Sequence, residues 1–298
     1  MKVHANGMAI EIDVQGPQDG EPLLLVMGLS MQLIAWPQEL VSDLASRGYR
    51  VIRMDNRDIG LSQHMHHLGA PNLAWAILRS TLRLPLHSPY QLSDMAKDAV
   101  GVLDALGVAT AHVCGLSMGG MIAQHLAAQH APRVRSLTLM MTSSGARGLG
   151  QPSLRVRRAL IAKPAGNDAA ALIRHGCRIF TLIGSPGFPT PPEQLRERVT
   201  EAVHRSSNPA GSVRQLIAIA ADGDRSTLLS RITAPTLVIH GNADPLIPVA
   251  AGHDLARKIS GARAEFIDGM GHDLPLALLP RLAAGIAANA QRARVTST

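Results

Sequence analysis

At 298 residues, 46% apolar and 17% charged, the chain can bury a sizeable core, and its seven aromatics leave aliphatic and Met side chains to fill it. Two cysteines, Cys114 and Cys177, exclude a disulfide framework; with no signal-peptide stretch in Met-Lys-Val-His-Ala-Asn-Gly and no apolar run near the ~18 residues of a membrane span, a cytoplasmic protein without a membrane partner is expected. The formal charge of +7 and the pI near 10.2 would suit a nucleic-acid binder, but such binders interleave cations with stacking aromatics, which are scarce here.

Asn6-Gly7, between Val3-His4-Ala5 and the alternating run Met8 to Val14, is the signature of a tight hairpin turn. Leu23 to Met27 is an unbroken apolar run ending at Gly28, and such runs read as strands buried on both faces of a parallel sheet. Similar runs recur at Arg50 to Asp55, Ala111 to Leu116, Val134 to Met141, Thr236 to His240 and Ala264 to Asp268. Between them the spacing turns helical, as in Leu92, Met95, Val100, Leu103 and Leu106, in Met121, Ile122, His125 and Leu126, and over Leu274 to Ala287. Alternating strands and helices predict an α/β fold with a mostly parallel sheet and right-handed crossovers.

The alternation stops over residues 143–228. Arg-bearing helical segments are separated there by Pro and Gly, with Pro186 to Pro192 as a rigid connector. This segment also carries the charge: residues 143–230 hold twelve Arg and Lys against six Asp and Glu, a net +6. It is expected to be a helical cap inserted between two strands, with residues 1–142 and 229–298 forming the core. A solvated basic surface is the favoured reading of its charge, ahead of a surface that attracts anions.

Gly115-Leu116-Ser117-Met118-Gly119-Gly120 follows a predicted strand and opens a predicted helix. A sharp strand-to-helix turn of this kind forces the serine into a strained conformation that lifts its hydroxyl clear of the sheet, and the helix N-terminus aims N–H groups at negative charge. Such a nucleophile needs a base, and the base needs an orienting acid. Asp244 directly follows the strand Thr236 to His240, and His272 directly follows Ala264 to Asp268. Loops at the carboxyl ends of parallel strands converge, so the order Ser117, Asp244, His272 predicts one site. Among 13 histidines, His272 alone combines a post-strand loop with flanking glycines that let the ring swing toward Ser117. Asp268 is the rival acid, with Asp222 and Asp224 weaker rivals. For an oxyanion, the Met118 N–H comes with the turn, and Gly28, by letting the backbone turn, makes the Leu29 N–H the second candidate donor.

These motifs resemble the α/β-hydrolase superfamily over nearly the whole chain. The matching pieces are Leu-Leu-Val-Met-Gly, Asp55-Asn56-Arg57-Asp58-Ile59-Gly60-Leu61-Ser62, Gly-Leu-Ser-Met-Gly-Gly, Pro-Thr-Leu-Val-Ile-His-Gly-Asn-Ala-Asp and Gly-Met-Gly-His. Within that superfamily the chain resembles the aclacinomycin methylesterase group, which also has Met-Gly where many relatives have His-Gly, and Arg-Asp-x-Gly where many have Arg-Gly-x-Gly. The resemblance implies an eight-stranded sheet flanked by helices, Ser117, Asp244 and His272 as nucleophile, acid and base, and Leu29 and Met118 as oxyanion donors. The implied reaction is hydrolysis of a small-molecule carboxylic ester, a methyl ester in that branch, with no metal or organic cofactor. Perhydrolysis of the cofactor-free haloperoxidase type and carbon–carbon bond hydrolysis would use the same triad, and a ligand receptor on this fold is an alternative of another class.

Smaller features read more plainly. Asp55-Asn56-Arg57-Asp58 is assigned to a buried ion pair bracing its loop rather than to substrate binding. His64-Met65-His66-His67 lacks a second cluster of ligands, so no metal is expected there. Cys114 is assigned to the core, and Trp75-Ala76-Ile77-Leu78 to packing rather than to a substrate wall or a membrane-facing helix.

Overall fold

The structure, a computed structural model, describes residues 1–82, 84–166 and 168–295. Strands β1 (Lys2–Ala5) and β2 (Met8–Gln15) form the predicted hairpin, with Ala5 opposite Met8 and both turn residues, Asn6 and Gly7, at positive φ. That mirror-image turn matches the twist of the flanking strands, which is why Asn-Gly marks it. The chain continues through β3 (Glu21–Val26), α1 (Gln38–Ser46) and β4 (Tyr49–Met54), then α2 (Leu73–Thr81) and α3 (Leu92–Ala105). Next come β5 (Ala111–Leu116), α4 (Met118–Gln129) and β6 (Val134–Met140).

The eight strands form one sheet in the order β1-β2-β4-β3-β5-β6-β7-β8, where β7 is Thr236–Gly241 and β8 is Arg263–Ile267. The pairings of β1 with β2 and of β2 with β4 are antiparallel; every other pair is parallel. Strands β5 and β7 are buried at every position, the consequence of helices covering both faces. One core layer packs α3 and α4 residues such as Met95, Val102, Ile122 and Leu126 against the sheet; the opposite layer uses α1 and α11 (Leu279–Val295), with Leu40, Leu44, Leu282 and Ile286. α11 begins later than the helical pattern at Leu274 suggested, because Pro275 and Pro280 bracket a short 3₁₀ turn at its start. Cys114 is fully buried in β5, in the core, and burial pushes its thiol well above the ordinary range.

Between β6 and β7 the described residues form helices and no strand: α5 (Leu154–Ile161), α6 (Ala169–Ile183), α7 (Pro192–Arg205), α8 (Pro209–Asp222) and α9 (Ser226–Leu229). β7 is followed by α10 (Ala250–Lys258). The helical insertion is fastened to the sheet by buried charge. Arg205 donates to Asp55 Oδ2 at 2.8 Å, and the fully buried Arg214 donates from Nε and Nη2 to both oxygens of Asp58 at 2.8 and 2.7 Å. Arg225 donates to Gln124 and to the Ser143 carbonyl, closing the two ends of the insertion together. Arg57 makes a two-pronged pair with Asp98 on α3, at 2.6 Å for each bond. The Asp55–Asp58 segment is therefore a hub of ion pairs, and two of the insertion's cations, Arg205 and Arg214, neutralise buried carboxylates.

One expectation fails here. Trp75 and Leu78 on α2 are 55% and 46% exposed, not packed in the core. The main contacts of α2 run to α8, which lies outside the sheet, and this leaves Trp75 and Leu78 open to solvent. Arg79 covers part of it, its guanidinium 5.9 Å from the centre of the Trp75 ring. Among the described residues no helix is long and apolar enough to cross a membrane. His64 donates from Nε2 to the Gly60 carbonyl, and His66 and His67 lie on a short exposed turn.

Candidate active site

β5 ends at Leu116 and α4 begins at Met118, leaving Ser117 alone to reverse the chain. Its φ and ψ are 54° and −120°, a strained conformation for a residue with a side chain. Gly119 is required by closeness: a Cβ there would lie 2.0 Å from the Val26 carbonyl oxygen. Backbone bonds hold the turn on both sides, with the Ser117 N–H donating to the Met140 carbonyl and the Thr142 hydroxyl donating to the Ser117 carbonyl.

Asp244 stands on the loop after β7 and His272 on the loop after β8. Those loops are pressed together, since the Ala243 N–H donates to the Met270 carbonyl at 3.0 Å and the Asn242 N–H to the Ile267 carbonyl at 3.0 Å. The three side chains meet. The Ser117 hydroxyl donates to His272 Nε2 across 3.1 Å, and His272 Nδ1–H donates to Asp244 Oδ2 across 2.7 Å. The other Asp244 oxygen accepts the N–H groups of Leu246 and Ile247, both at 2.8 Å. Asp244 and His272 are buried and Ser117 is half-buried, so the chain of bonds opens to the surface at its serine end.

The rival acids lie elsewhere. Asp268 accepts the Asn242 side-chain amide at 2.5 Å, Asp222 pairs with His125 and Arg225, and Asp224 holds Ser226. Each has a structural partner and none touches His272.

Of the two N–H groups expected for an oxyanion, that of Met118 adjoins Ser117 in the chain, and that of Leu29 follows Gly28, which packs against the Ser117 side chain. Among the described residues, neither the Leu29 nor the Met118 N–H has a protein acceptor, and Met118 opens a twelve-residue helix whose N-terminal end favours negative charge. The role expected of Gly28 needs correcting. Its φ is not in the left-handed region; Ser30 makes that turn, at φ 61°. Gly28 instead allows a close approach: a Cβ would come within 3.2 Å of the Ser117 Cβ and 3.4 Å of the Leu116 carbonyl oxygen, so a larger residue would crowd the serine.

Two further residues shape the site and were passed over in the sequence. His240, fully buried near the end of β7, donates from Nε2 to the Ile247 carbonyl at 2.8 Å and lies 3.6 Å from Asp244 Oδ2. Burial holds its pKa below the usual histidine range, so it is neutral at pH 7 and acts as a fastener of the Asp244 turn. Its position four residues before Asp244 was the available signal. Gln215 on α8 had none: its Oε1 accepts the Ser30 N–H at 3.0 Å while its Nε2 donates to the Arg57 carbonyl at 2.9 Å. The insertion thus reaches the loop that carries Leu29.

Known proteins agree with this architecture. The chain matches the alpha/beta hydrolase fold over residues 21–276. It is 34% identical over 294 residues to a rhodomycin D methylesterase from Streptomyces sp. (strain C5), and 33% identical over 294 residues to another from Streptomyces peucetius, with 92% of each chain covered in both cases. A carbamate hydrolase described as putative, from Variovorax paradoxus, is 30% identical over 271 residues, covering 89% of this chain and 90% of its own. Among solved structures, a meta-cleavage product hydrolase from Pseudomonas fluorescens superposes with a TM-score of 0.77 at 20% identity, over 98% of both chains. The match in fold, the length of the alignments and the methylesterase relatives together place the chain in the α/β-hydrolase family.

Proposed function

We propose that the protein hydrolyses carboxylic esters, with Ser117 as nucleophile. The observation that carries this reading is the hydrogen-bond chain from Ser117 through His272 to Asp244. Ser117 Oγ attacks the ester carbonyl while His272 Nε2 takes its proton; the imidazolium is held in orientation by Asp244 and then protonates the departing alcohol. The N–H groups of Leu29 and Met118 receive the charge that develops on the carbonyl oxygen. Water, deprotonated by the same histidine, attacks the acyl-enzyme and frees the serine.

A small-molecule methyl ester is the proposed substrate class, because the two Streptomyces relatives carry the name methylesterase and align along most of the chain. The likeness to the meta-cleavage hydrolase supports the shared fold alone, so ester cleavage stands ahead of carbon–carbon cleavage. Residues 143–228 are proposed as the cap that shapes the substrate pocket, since they leave the sheet after β6, at the end where Ser117, Asp244 and His272 stand.

A panel of p-nitrophenyl and methyl esters, run on wild type and Ser117→Ala, tests the reading. Wild type is expected to turn over repeatedly, and Ser117→Ala to lose on the order of 10³-fold or more, because only binding and oxyanion contacts remain. A variant keeping a tenth of the activity removes Ser117 from the mechanism. Binding without turnover by the wild type would identify a receptor, and halide oxidation that depends on peroxide a perhydrolase.

A further inference from the structure

The loop bearing His272 is laced to the helical insertion just beyond α6. The His272 N–H donates to the Ile183 carbonyl at 2.7 Å, and the Gly187 N–H donates to the Gly269 carbonyl at 2.9 Å. Between these two backbone bonds sits Ser185, 3% exposed. Its Oγ accepts the Gly271 N–H at 2.7 Å and donates its own proton to Asp273 Oδ1. One hydroxyl therefore grips the residues on both sides of His272. The two segments approach so closely that a Cβ on Gly271 would lie 2.4 Å from the Gly184 carbonyl oxygen.

We propose that Ser185 is a positioning residue for His272: supplied by the insertion, it clasps Gly271 and Asp273 and thereby holds the imidazole in line between Asp244 and Ser117. The inference rests on His272 being the base that activates Ser117. The contact it protects is a long one, 3.1 Å between Ser117 Oγ and His272 Nε2, so a small drift of the loop breaks it. The 2.7 Å bond to Asp244 fixes only the far side of the ring, and the Ser185 clasp adds to the backbone bonds that hold the loop on either side of His272. Burial pushes the Asp273 carboxyl above its ordinary pKa, and the Ser185 hydroxyl opposes that shift. Without the Ser185 hydroxyl, the buried Gly271 N–H loses its acceptor and the Asp273 carboxylate keeps only the Ser185 backbone N–H, so the loop is held less firmly.

The test measures how fast a fluorophosphonate labels Ser117, located by mass spectrometry of the modified peptide, alongside kcat and KM for a p-nitrophenyl ester. Ser185→Ala is expected to slow labelling and lower kcat about 10- to 100-fold, as misplacing a reacting group does, with KM within about threefold of wild type. Asp273→Ala breaks the same clasp from the core side and should fall in parallel, which keeps the test open if Ser185→Ala fails to fold. Asp273→Asn retains an acceptor oxygen and should stay close to wild type. The double variant Ser185→Ala with Asp273→Ala should be no slower than the slower single one, since one interaction is removed twice. Labelling of Ser185→Ala at the wild-type rate overturns the proposal while leaving Ser117 as nucleophile. Asp273→Asn as slow as Asp273→Ala also overturns it, by tracing the effect to charge. A wild type that is not labelled at Ser117 at all overturns the nucleophile, and the clasp with it.

Discussion

Asp244 uses both carboxylate oxygens, one on His272 and one on the Leu246 and Ile247 N–H groups, so its side chain has a single orientation. Asp244→Asn keeps the shape and turns an N–H toward His272, which then presents the wrong tautomer to Ser117. Turnover of a p-nitrophenyl ester should fall on the order of 10³-fold or more with the thermal midpoint little changed. Asp268→Asn alters the contact to Asn242 and should stay within about threefold of wild type; the reverse ranking would place the acid after β8 instead of after β7. Ser117, Asp244 and His272 were legible because each follows an apolar run directly, and their order along the chain restricted the choice. Ser185 was not. Nothing near it in sequence marks it, and its partners Gly271 and Asp273 lie more than eighty residues away.

At the scale of elements, α7 and α8 are joined to the core through guanidinium groups, half-buried on Arg205 and fully buried on Arg214. Arg214→Met leaves the Asp58 carboxylate buried without its partner, and the loss of stability in urea unfolding is expected to be about 3–5 kcal/mol. Combining it with Asp58→Asn should restore part of that loss, whereas a purely additive pair of losses would show that the two side chains do not act together. The strands could be read from apolar runs and α3, α4 and α11 from helical spacing, and so could the insertion, from the break in that rhythm. Its attachment could not, because a pattern of Arg residues shows charge but not which distant carboxylate receives it. The same limit explains α2: the pattern Leu73 to Thr81 is helical, but sequence alone does not say that its contacts run to a helix lying outside the sheet. These ties shape a further expectation. Exchanging residues 143–228 for a relative's segment should change the ester preference, measured across the panel, only if the chimera retains Ser185, Arg205, Arg214 and Gln215. A chimera keeping all four with an unchanged ester profile would locate the specificity pocket in the core instead.

Across the whole molecule, the proposed chemistry lies at the carboxyl ends of the strands, and a separate ionic cluster closes the opposite end. Glu21, the first residue of β3, accepts from Arg135 on β6 at 3.0 Å and pairs with Arg294 on α11 at 2.8 Å, while His112 on β5 stands 3.5 Å from the same carboxylate and hydrogen-bonds Ser136 through Nδ1. The hydrogen bond from Arg294 holds Glu21 down to about 2, and burial holds His112 down to about 4. Both depressed values act with the same sign. The unfolded chain takes up a proton on His112 as pH falls through 6.5 while the folded protein does not until about 4, so the stability this histidine gives is in full above 6.5 and drains away across that interval. Glu21 repeats the effect lower down, from its ordinary value of 4.5 to about 2. The thermal midpoint should therefore fall in two stages on acidification. His112→Phe removes one proton from the upper stage, worth at most about 1.4 kcal/mol per pH unit of slope, and leaves the lower stage in place. Its midpoint at pH 7 will be lower for want of the Ser136 bond, but the curve between pH 6.5 and 4 should be shallower than that of wild type. Since His112 stands five residues before Ser117 along β5, roughly 17 Å, ester turnover at pH 7 should be unchanged in the variant. An equally steep curve in His112→Phe would mean that other histidines, among them the buried His240, carry the acid sensitivity, and that this end of the sheet is indifferent to pH.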